Sequence, residues 1–317
     1  MNTRTGAPGA TVGETWPALP YDEWKDTQET LHMWGQIVGK VKLELAPFLN
    51  EWWNVAFHLT ARGMTTGLIP YRNHAFQVDF DFIDHHLSIQ MDNGATRELA
   101  LVPRSVAEFY GEFMGALRAL GIEVTINTLP TEVPNPIPCD VDRMHSSYDP
   151  DPVNRWWRIQ VQTEKVLQRF RSGFVGKSSP IHFFWGSFDL AHTRFSGRPA
   201  PKPEGVPRFF QIAEDQENIS FGFWPGNPNT AGAMLGEPAF YSYIYPAPEG
   251  YAEATVEPRA AYFDQTLGEF VLRYEDLRRT RTPEDDLLTF FQSTYEAAAT
   301  RAGWDRATLE RSPSSTS

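Results

Sequence analysis

Apolar and polar positions along this chain change period in a regular order. Leu31, Trp34, Ile37, Val38, Val41 and Leu45 recur at intervals of three and four, one face of an amphipathic helix over 24–45 that Pro47 ends. Stretches 52–60, 76–82, 87–91 and 98–102 are strand-like, with Asp92-Asn93-Gly94 as a turn. Val106, Phe109, Tyr110, Phe113, Leu117 and Leu120 restore the helical period over 105–120, and Gly121 stops it. Residues 123–152 are rich in proline and close on Asp149-Pro150-Asp151-Pro152, a linker composition.

The plan then restarts. Trp156, Ile159, Val166, Leu167 and Phe170 mark a helix, and Pro180 precedes strand-like stretches at 181–195, 219–224, 240–245 and 269–274. A closing helix spans 283–302, with Thr282 suited to its N-cap, Pro283 to its first position and Glu284, Asp285 and Asp286 to its positive end. The interval between matched positions is nearly constant from Pro47/Pro180 to Gly67/Gly197. It lengthens at Glu98/Glu269 and Gly121/Gly303, as it would if the second copy carried insertions inside its sheet. Trp53/Trp185, Leu59/Leu190 and Arg62/Arg194 fall at corresponding places; chance sharing of short apolar words is the plainer alternative. The expected fold is α+β: two pseudo-symmetric helix–antiparallel sheet–helix units, sheets central and helices outside. The division is a flexible arm (1–22), a first unit (23–122), a Pro-rich linker (123–152), a second unit with insertions (153–304) and a disordered tail (305–317). Trp16-Pro17-Ala18-Leu19-Pro20-Tyr21 within the arm reads as an extended apolar latch.

Composition narrows the function classes. Hydrophobic residues make up 41% and aromatics 14% of 317 residues, enough for a large core. A net charge of −12 repels phosphate backbones and anionic lipid, so neither nucleic acid nor a membrane is an expected partner. No apolar run approaches the ~20 residues of a spanning helix, and the first residues lack a secretory apolar core. The single cysteine, Cys139, excludes an internal disulfide. A cytoplasmic protein with a small-molecule ligand is expected.

Candidate chemistry concentrates in Ile181–Gly197, IHFFWGSFDLAHTRFSG. His182, Asp189 and His192 are the ligand set of many iron or zinc sites, so a divalent metal is the candidate cofactor. On one unbroken strand His182 and His192 would stand ~33 Å apart, so convergence requires Gly186-Ser187 to turn the chain as a hairpin. Leu190 to Arg194 is one residue longer than Leu59 to Arg62, which points to a bulge re-aiming His192 as base or ligand; slack in a short alignment explains it equally. Arg194 is the candidate anion clamp, against a plainer reading in which Arg62 and Arg194 pair with Glu98 and Glu269. Arg198 and Arg208 could join that clamp or be solvated. Asp79, Asp81, Asp84 and His85 read as a wet strand face running into a turn, or as hard-cation ligands. Trp185, Phe188, Phe221, Phe223, Trp224, Tyr241, Tyr243 and Tyr245 are core residues or the lining of an aromatic pocket. Gly176-Lys177-Ser178 lacks the upstream glycine of a phosphate-binding loop, and HExxH, GxSxG and GxGxxG are absent.

WPALPYDEWKDTQETLHMWGQIVGKVKL, LTARGMTTGLIPY and HFFWGSFDLAHTRFSG together resemble a bacterial family catalogued only as a domain of unknown function. That resemblance implies one bacterial, cytoplasmic protein and carries no activity, cofactor or catalytic residue with it. The leading expectation is a small-molecule enzyme, metal-assisted if the histidines hold a cation. Its site would lie on the second unit, with His192, Asp189 and Arg194 as catalytic residues and His192 and His182 as metal ligands. The alternatives are a non-catalytic binding module, or a scaffold using the loops from 198 to 262. Oligomeric state has no signal in the sequence.

Overall fold

The computed structural model describes residues 14–202, 205–206, 208–226 and 235–311. Helix α1 (Tyr21–Leu45) is followed by a 3-10 turn (Asn50–Trp52) and by strands β1 (His58–Leu59), β2 (Gly63–Thr65), β3 (Ile69–Tyr71), β4 (His74–Asp81), β5 (His86–Met91) and β6 (Thr96–Ala100). Helix α2 (Val106–Ala119) closes the first half, and α3 (Pro150–Ser172) opens the second. Strands β7 (His182–Phe184) and β8 (Asp189–Pro199), helix α4 (Arg208–Ala213), and strands β9 (Gln216–Trp224), β10 (Ala239–Tyr245), β11 (Tyr262–Asp264) and β12 (Glu269–Arg273) follow. Helices α5 (Tyr274–Arg278), α6 (Pro283–Arg301) and α7 (Arg306–Leu309) end the described chain.

The α+β expectation holds. One antiparallel sheet has the order β1-β2-β4-β5-β6, with β3 also on β4; the other has the order β11-β12-β10-β9-β8-β7. Edges β1 and β7 meet where Phe57 and Phe183 exchange backbone hydrogen bonds of 2.9 and 2.8 Å, so the sheets join centrally and the helices lie outside. No helix among the described residues is long and apolar enough to cross a membrane.

Local chemistry explains the ends of the elements. Ser105 and Glu108 form a reciprocal capping box at the start of α2, satisfying backbone donors that would otherwise be orphaned. Asp149 caps α3 and Pro150 occupies its first turn, so Asp149-Pro150-Asp151-Pro152 begins a helix instead of ending a linker. The rest of the supposed linker is packed: Ile126, Cys139 and Tyr148 are buried, and Tyr148 stacks on Trp34 of α1. The latch is confirmed, since Trp16 and Leu19 are buried and Tyr274 donates to the Pro17 carbonyl at 2.6 Å. The expected disordered tail instead runs through α7 to a bridge between Glu310 and Phe174; residues 1–13 of the arm and 312–317 of the tail lie outside the described residues.

The residue matching between halves is corrected by strand order. Counting outward from the junction, β7 takes the place of β1 and β8 that of β2. Leu59 is on β1 and Leu190 on β8, so these two are not equivalent, and neither are Arg62 and Arg194. The inferred bulge goes with that alignment. Pairing between β8 and β9 is unbroken from Leu190 to Phe195, and the register shifts only between Phe195 and Pro199.

Candidate functional site

Strand β8 reads Asp-Leu-Ala-His-Thr-Arg-Phe from Asp189 to Phe195, and its period of two sorts these side chains onto opposite faces. Leu190, His192 and Arg194 face α3 and α6, where Phe170, Phe221 and Phe291 pack together. Asp189, Ala191 and Thr193 face the other way, beside Ser220 and Gly222 of β9 and Tyr241 and Tyr243 of β10. The small side chains in the middle of that face leave a depression between larger ones. Phe209 and Phe210 of α4, Trp52 and Trp53 after α1, and Trp185 of the β7–β8 turn cover it, enclosing a cavity of about 400 Å³. That volume suits a metabolite-sized ligand.

The sequence candidates divide accordingly. Gly186-Ser187 does lie in a turn between β7 and β8, as convergence of the three ligands would require. His182 and Asp189 then share a face while His192 lies on the opposite one, so the His182/His192 metal pair is split across the sheet. Among the described residues no group of three or more His, Cys, Asp or Glu side chains could hold a metal ion. His182 is buried among His58, Trp53 and Phe184, and burial holds its imidazole down to about 3. His192 is fully buried; Nδ1 donates to the Ser179 carbonyl at 3.1 Å, Nε2 has no hydrogen-bond partner among the described residues, and burial keeps the ring neutral.

Arg194 is held by aromatic rings. Its guanidinium sits 3.5 Å from the centre of Phe170 and 4.4 Å from that of Tyr295, and Nη2 donates to the Phe170 carbonyl at 2.5 Å. It meets neither the cavity nor Glu269, which lies on the other face. Arg62 pairs with Asp81 at 2.5 Å and Asp84 at 2.6 Å, so the expected Arg62–Glu98 pair also fails. Asp81 receives the Ile83 and Asp84 amides as well, and His85 contacts the Tyr148 hydroxyl, so that cluster shapes a turn. Arg198 binds Glu217 and the carbonyls of Ala302 and Gly303 at the end of α6. Of the aromatic candidates, Trp185, Tyr241 and Tyr243 line the cavity. Burial pushes the Cys139 thiol up to about 12, as an inert cysteine requires.

Of the charged sequence candidates, Asp189 is the one that lines the cavity. The hydroxyls of Ser187 and Tyr241 both donate to its carboxylate in short hydrogen bonds. Burial raises its pKa, against the lowering exerted by those two donors. Gly222 makes the arrangement possible, because a Cβ there would overlap the Tyr241 ring and the Leu190 carbonyl.

Glu132, in the proline-rich segment, is the residue that sequence reasoning missed. Gln36 of α1 clamps the strap beside it, its amide donating to the Thr131 carbonyl at 2.7 Å and accepting the Thr131 N–H at 3.0 Å. Glu132 itself takes a left-handed backbone conformation, φ 59°, uncommon for a residue with a side chain. Its carboxyl lies directly over Gly186, where any Cβ would collide with Oε1. Among the described residues no group hydrogen-bonds that carboxyl. It borders the cavity, yet surrounding protein desolvates it enough, with help from the Asp189 charge, to raise it to about 7. Glu214, also on the wall, is raised by burial despite hydrogen bonds from Asn218 at 2.5 Å and Tyr243 at 3.4 Å. Beside Tyr243, on the neighbouring strand β12, Glu269 is pushed up to about 8 by burial and by Asp189 and Asp264. Neither glutamate had a signal of this kind in the sequence.

No curated protein matches this chain, and no solved structure does. The family of unknown function DUF5996 matches it over residues 16–311, and the chain belongs to that family.

Proposed function

We propose that the cavity over the second sheet is the active site of a small-molecule enzyme working by general acid–base catalysis. The observation that carries this reading is the Glu132 carboxyl: without a hydrogen-bond partner among the described residues, desolvated by protein, bordering the cavity and raised to about 7. A group with that pKa takes and returns protons at physiological pH with little cost in either direction. Asp189 supplies the contrast. Two hydroxyl donors fix its orientation, so it serves as a positioned acceptor while Glu132 exchanges the proton. His192 and Arg194 support the sheet from its helical face.

The test is a thermal-shift screen against compounds that fit about 400 Å³, with each stabilising compound followed for conversion by mass spectrometry. Expected are stabilising compounds whose effect disappears in Ala191→Phe, which fills the cavity, and a conversion lost at saturating ligand in Glu132→Gln. Stabilisation without conversion for every compound makes the protein a binding module instead. No stabilising compound, or stabilisation unaltered in Ala191→Phe, refutes the site.

A further inference from the structure

The charged side chains bordering the cavity are all acidic. Glu51, Glu132, Asp189 and Glu214 line it, and no Lys, Arg or His does among the described residues. Glu51 is already neutralised, since Lys177 Nζ lies 2.6 Å from its Oε1. Asp189 and Glu214 have hydroxyl or amide donors. Glu132 has none among the described residues, and a carboxyl enclosed in protein without a donor is costly to ionise.

One wall of the cavity shows which chemistry it accommodates. The Lys177 ammonium that meets Glu51 also sits 4.4 Å from the centre of the Phe195 ring and 5.6 Å from that of Trp53. Glu51, Phe195 and Trp53 are all lining residues, so a carboxylate flanked by aromatic faces already holds an ammonium on the outer side of this wall, in a neighbouring pocket. Glu132 and Trp185 both line the cavity; Lys40 Nζ lies 5.9 Å from the centre of the Trp185 ring and is taken up by Thr131 Oγ1 at 3.1 Å, so the Glu132 carboxyl is left facing the cavity without a cation of its own.

We infer that the cavity's ligand is a protonated primary or secondary amine with a compact apolar body, its N–H groups donating to Glu132 and its body lying among the aromatic rings. This rests on the small-molecule reading of the cavity and adds the charge and donor character of the ligand. A quaternary ammonium lacks the N–H donors that Glu132 requires, and an anion meets three further carboxyl groups. The groups facing Glu132 all fit this polarity. Asp189 on β8 is acidic. His32 on α1, whose Nε2 lies 2.9 Å from the Gly186 carbonyl, is kept neutral by burial. Lys40 on α1 donates to Thr131 Oγ1 at 3.1 Å and does not line the cavity. Glu51 and Glu214 lie on the surrounding wall.

Binding of an ammonium ion favours the ionised carboxyl, so a proton and the amine compete for Glu132. With that carboxyl titrating near 7, amine affinity rises about tenfold from pH 6 to pH 8.

The experiment is calorimetric titration of the purified full-length protein with phenethylammonium, 2-phenylethanol and phenylacetate at pH 6 and 8. It is repeated on Glu132→Gln and on the cavity-filling Ala191→Phe, each checked for native circular dichroism. Phenethylammonium is expected to bind at least about tenfold more tightly than either analogue at pH 8, as a charge-assisted hydrogen bond to a desolvated partner requires. Its affinity should show the tenfold pH rise in the native protein and none in Glu132→Gln, and binding should vanish in Ala191→Phe. The native protein's pH profile with the three probes decides the matter even if a variant fails to fold. Equal affinity for the amine and the alcohol overturns the inference, as does a pH rise that survives in Glu132→Gln. Tighter binding of the alcohol or the carboxylate, lost in Ala191→Phe, overturns the amine preference and leaves the small-molecule site standing. Failure of all three to bind overturns the amine inference, and the wider screen then decides whether the cavity takes any small molecule.

Discussion

Glu132→Gln is expected to stabilise the folded protein at pH 8 and to change nothing at pH 4. The Glu132 carboxyl is raised from 4.5 to about 7, chiefly by burial and next by the Asp189 charge. The folded state therefore holds this proton to a higher pH than the unfolded chain does. Stability is unaffected below about 4.5, falls as pH rises from there to about 7, and is level above. One pKa unit corresponds to about 1.36 kcal/mol, which makes the penalty above pH 7 about 3 kcal/mol. A glutamine has the same shape and no charge to desolvate, so it removes that penalty wherever the native side chain is ionised. For a chain of this size about 3 kcal/mol shifts the melting temperature by roughly 5 °C. Melting is followed by circular dichroism for both proteins between pH 4 and pH 9, without ligand. The raised carboxyls of Asp189 and Glu269 remain in both and largely cancel in the difference. The reasoning fails if the two melting curves stay parallel across that range, or if the variant is the less stable at pH 8.

Gly222→Ala should lower stability by about 1–3 kcal/mol, because its Cβ would overlap the Leu190 carbonyl and the Tyr241 ring; urea unfolding measures it. Gln36→Ala removes both hydrogen bonds to Thr131, and the pH-dependent stability difference assigned to Glu132 should shrink when melting is repeated in that background. Arg194→Ala empties an aromatic cage and should cost about 3 kcal/mol or more by urea unfolding, whereas Arg194→Met should retain most of the stability. His192→Ala should leave phenethylammonium affinity within about twofold by calorimetry, since additivity holds between sites with no shared partner and the ring lies on the helical face.

Periodicity made the framework legible because long elements repeat their pattern several times. Helices α1, α2, α3 and α6 and strands β4, β5, β9, β10 and β12 fall where hydrophobic spacing places them. Strands β2 and β3 escaped, since three residues cannot establish a period. Asp149-Pro150-Asp151-Pro152 was misleading because proline suits a helix's first turn as well as it suits a linker. The site was half legible. Alternation along β8 separates Asp189, Ala191 and Thr193 from Leu190, His192 and Arg194, yet both sets mix polar and apolar residues. Nothing local says which set meets the helices. The imidazole and guanidinium looked like chemistry, and packing made them core: Arg194 is accommodated by rings from α3 and α6, elements far away in sequence. Glu132 was invisible for a related reason. Its position is set by Gln36, 95 residues before Thr131, and by the missing side chain at Gly186.

Three separate concessions meet at that one carboxyl. The backbone of Glu132 adopts a left-handed conformation that costs about 1 kcal/mol or more for a residue with a Cβ. Gly186 gives up a side chain where any would collide with Oε1, and the carboxyl itself has no hydrogen-bond donor among the described residues and lies beside an acidic neighbour. Each alone is the kind of imperfection a large protein tolerates. Their coincidence on one atom is different, because a chain under selection for stability alone would relieve at least one, for instance by placing an amide or hydroxyl opposite Glu132 as it does for Asp189 and Glu214. Strain that surrounding structure enforces and that no internal contact relieves is characteristic of sites built for an outside partner. The cavity is where that partner would supply the missing donor, and for that reason the absent hydrogen bond to Glu132 weighs more in assigning function than the dense polar motif on β8.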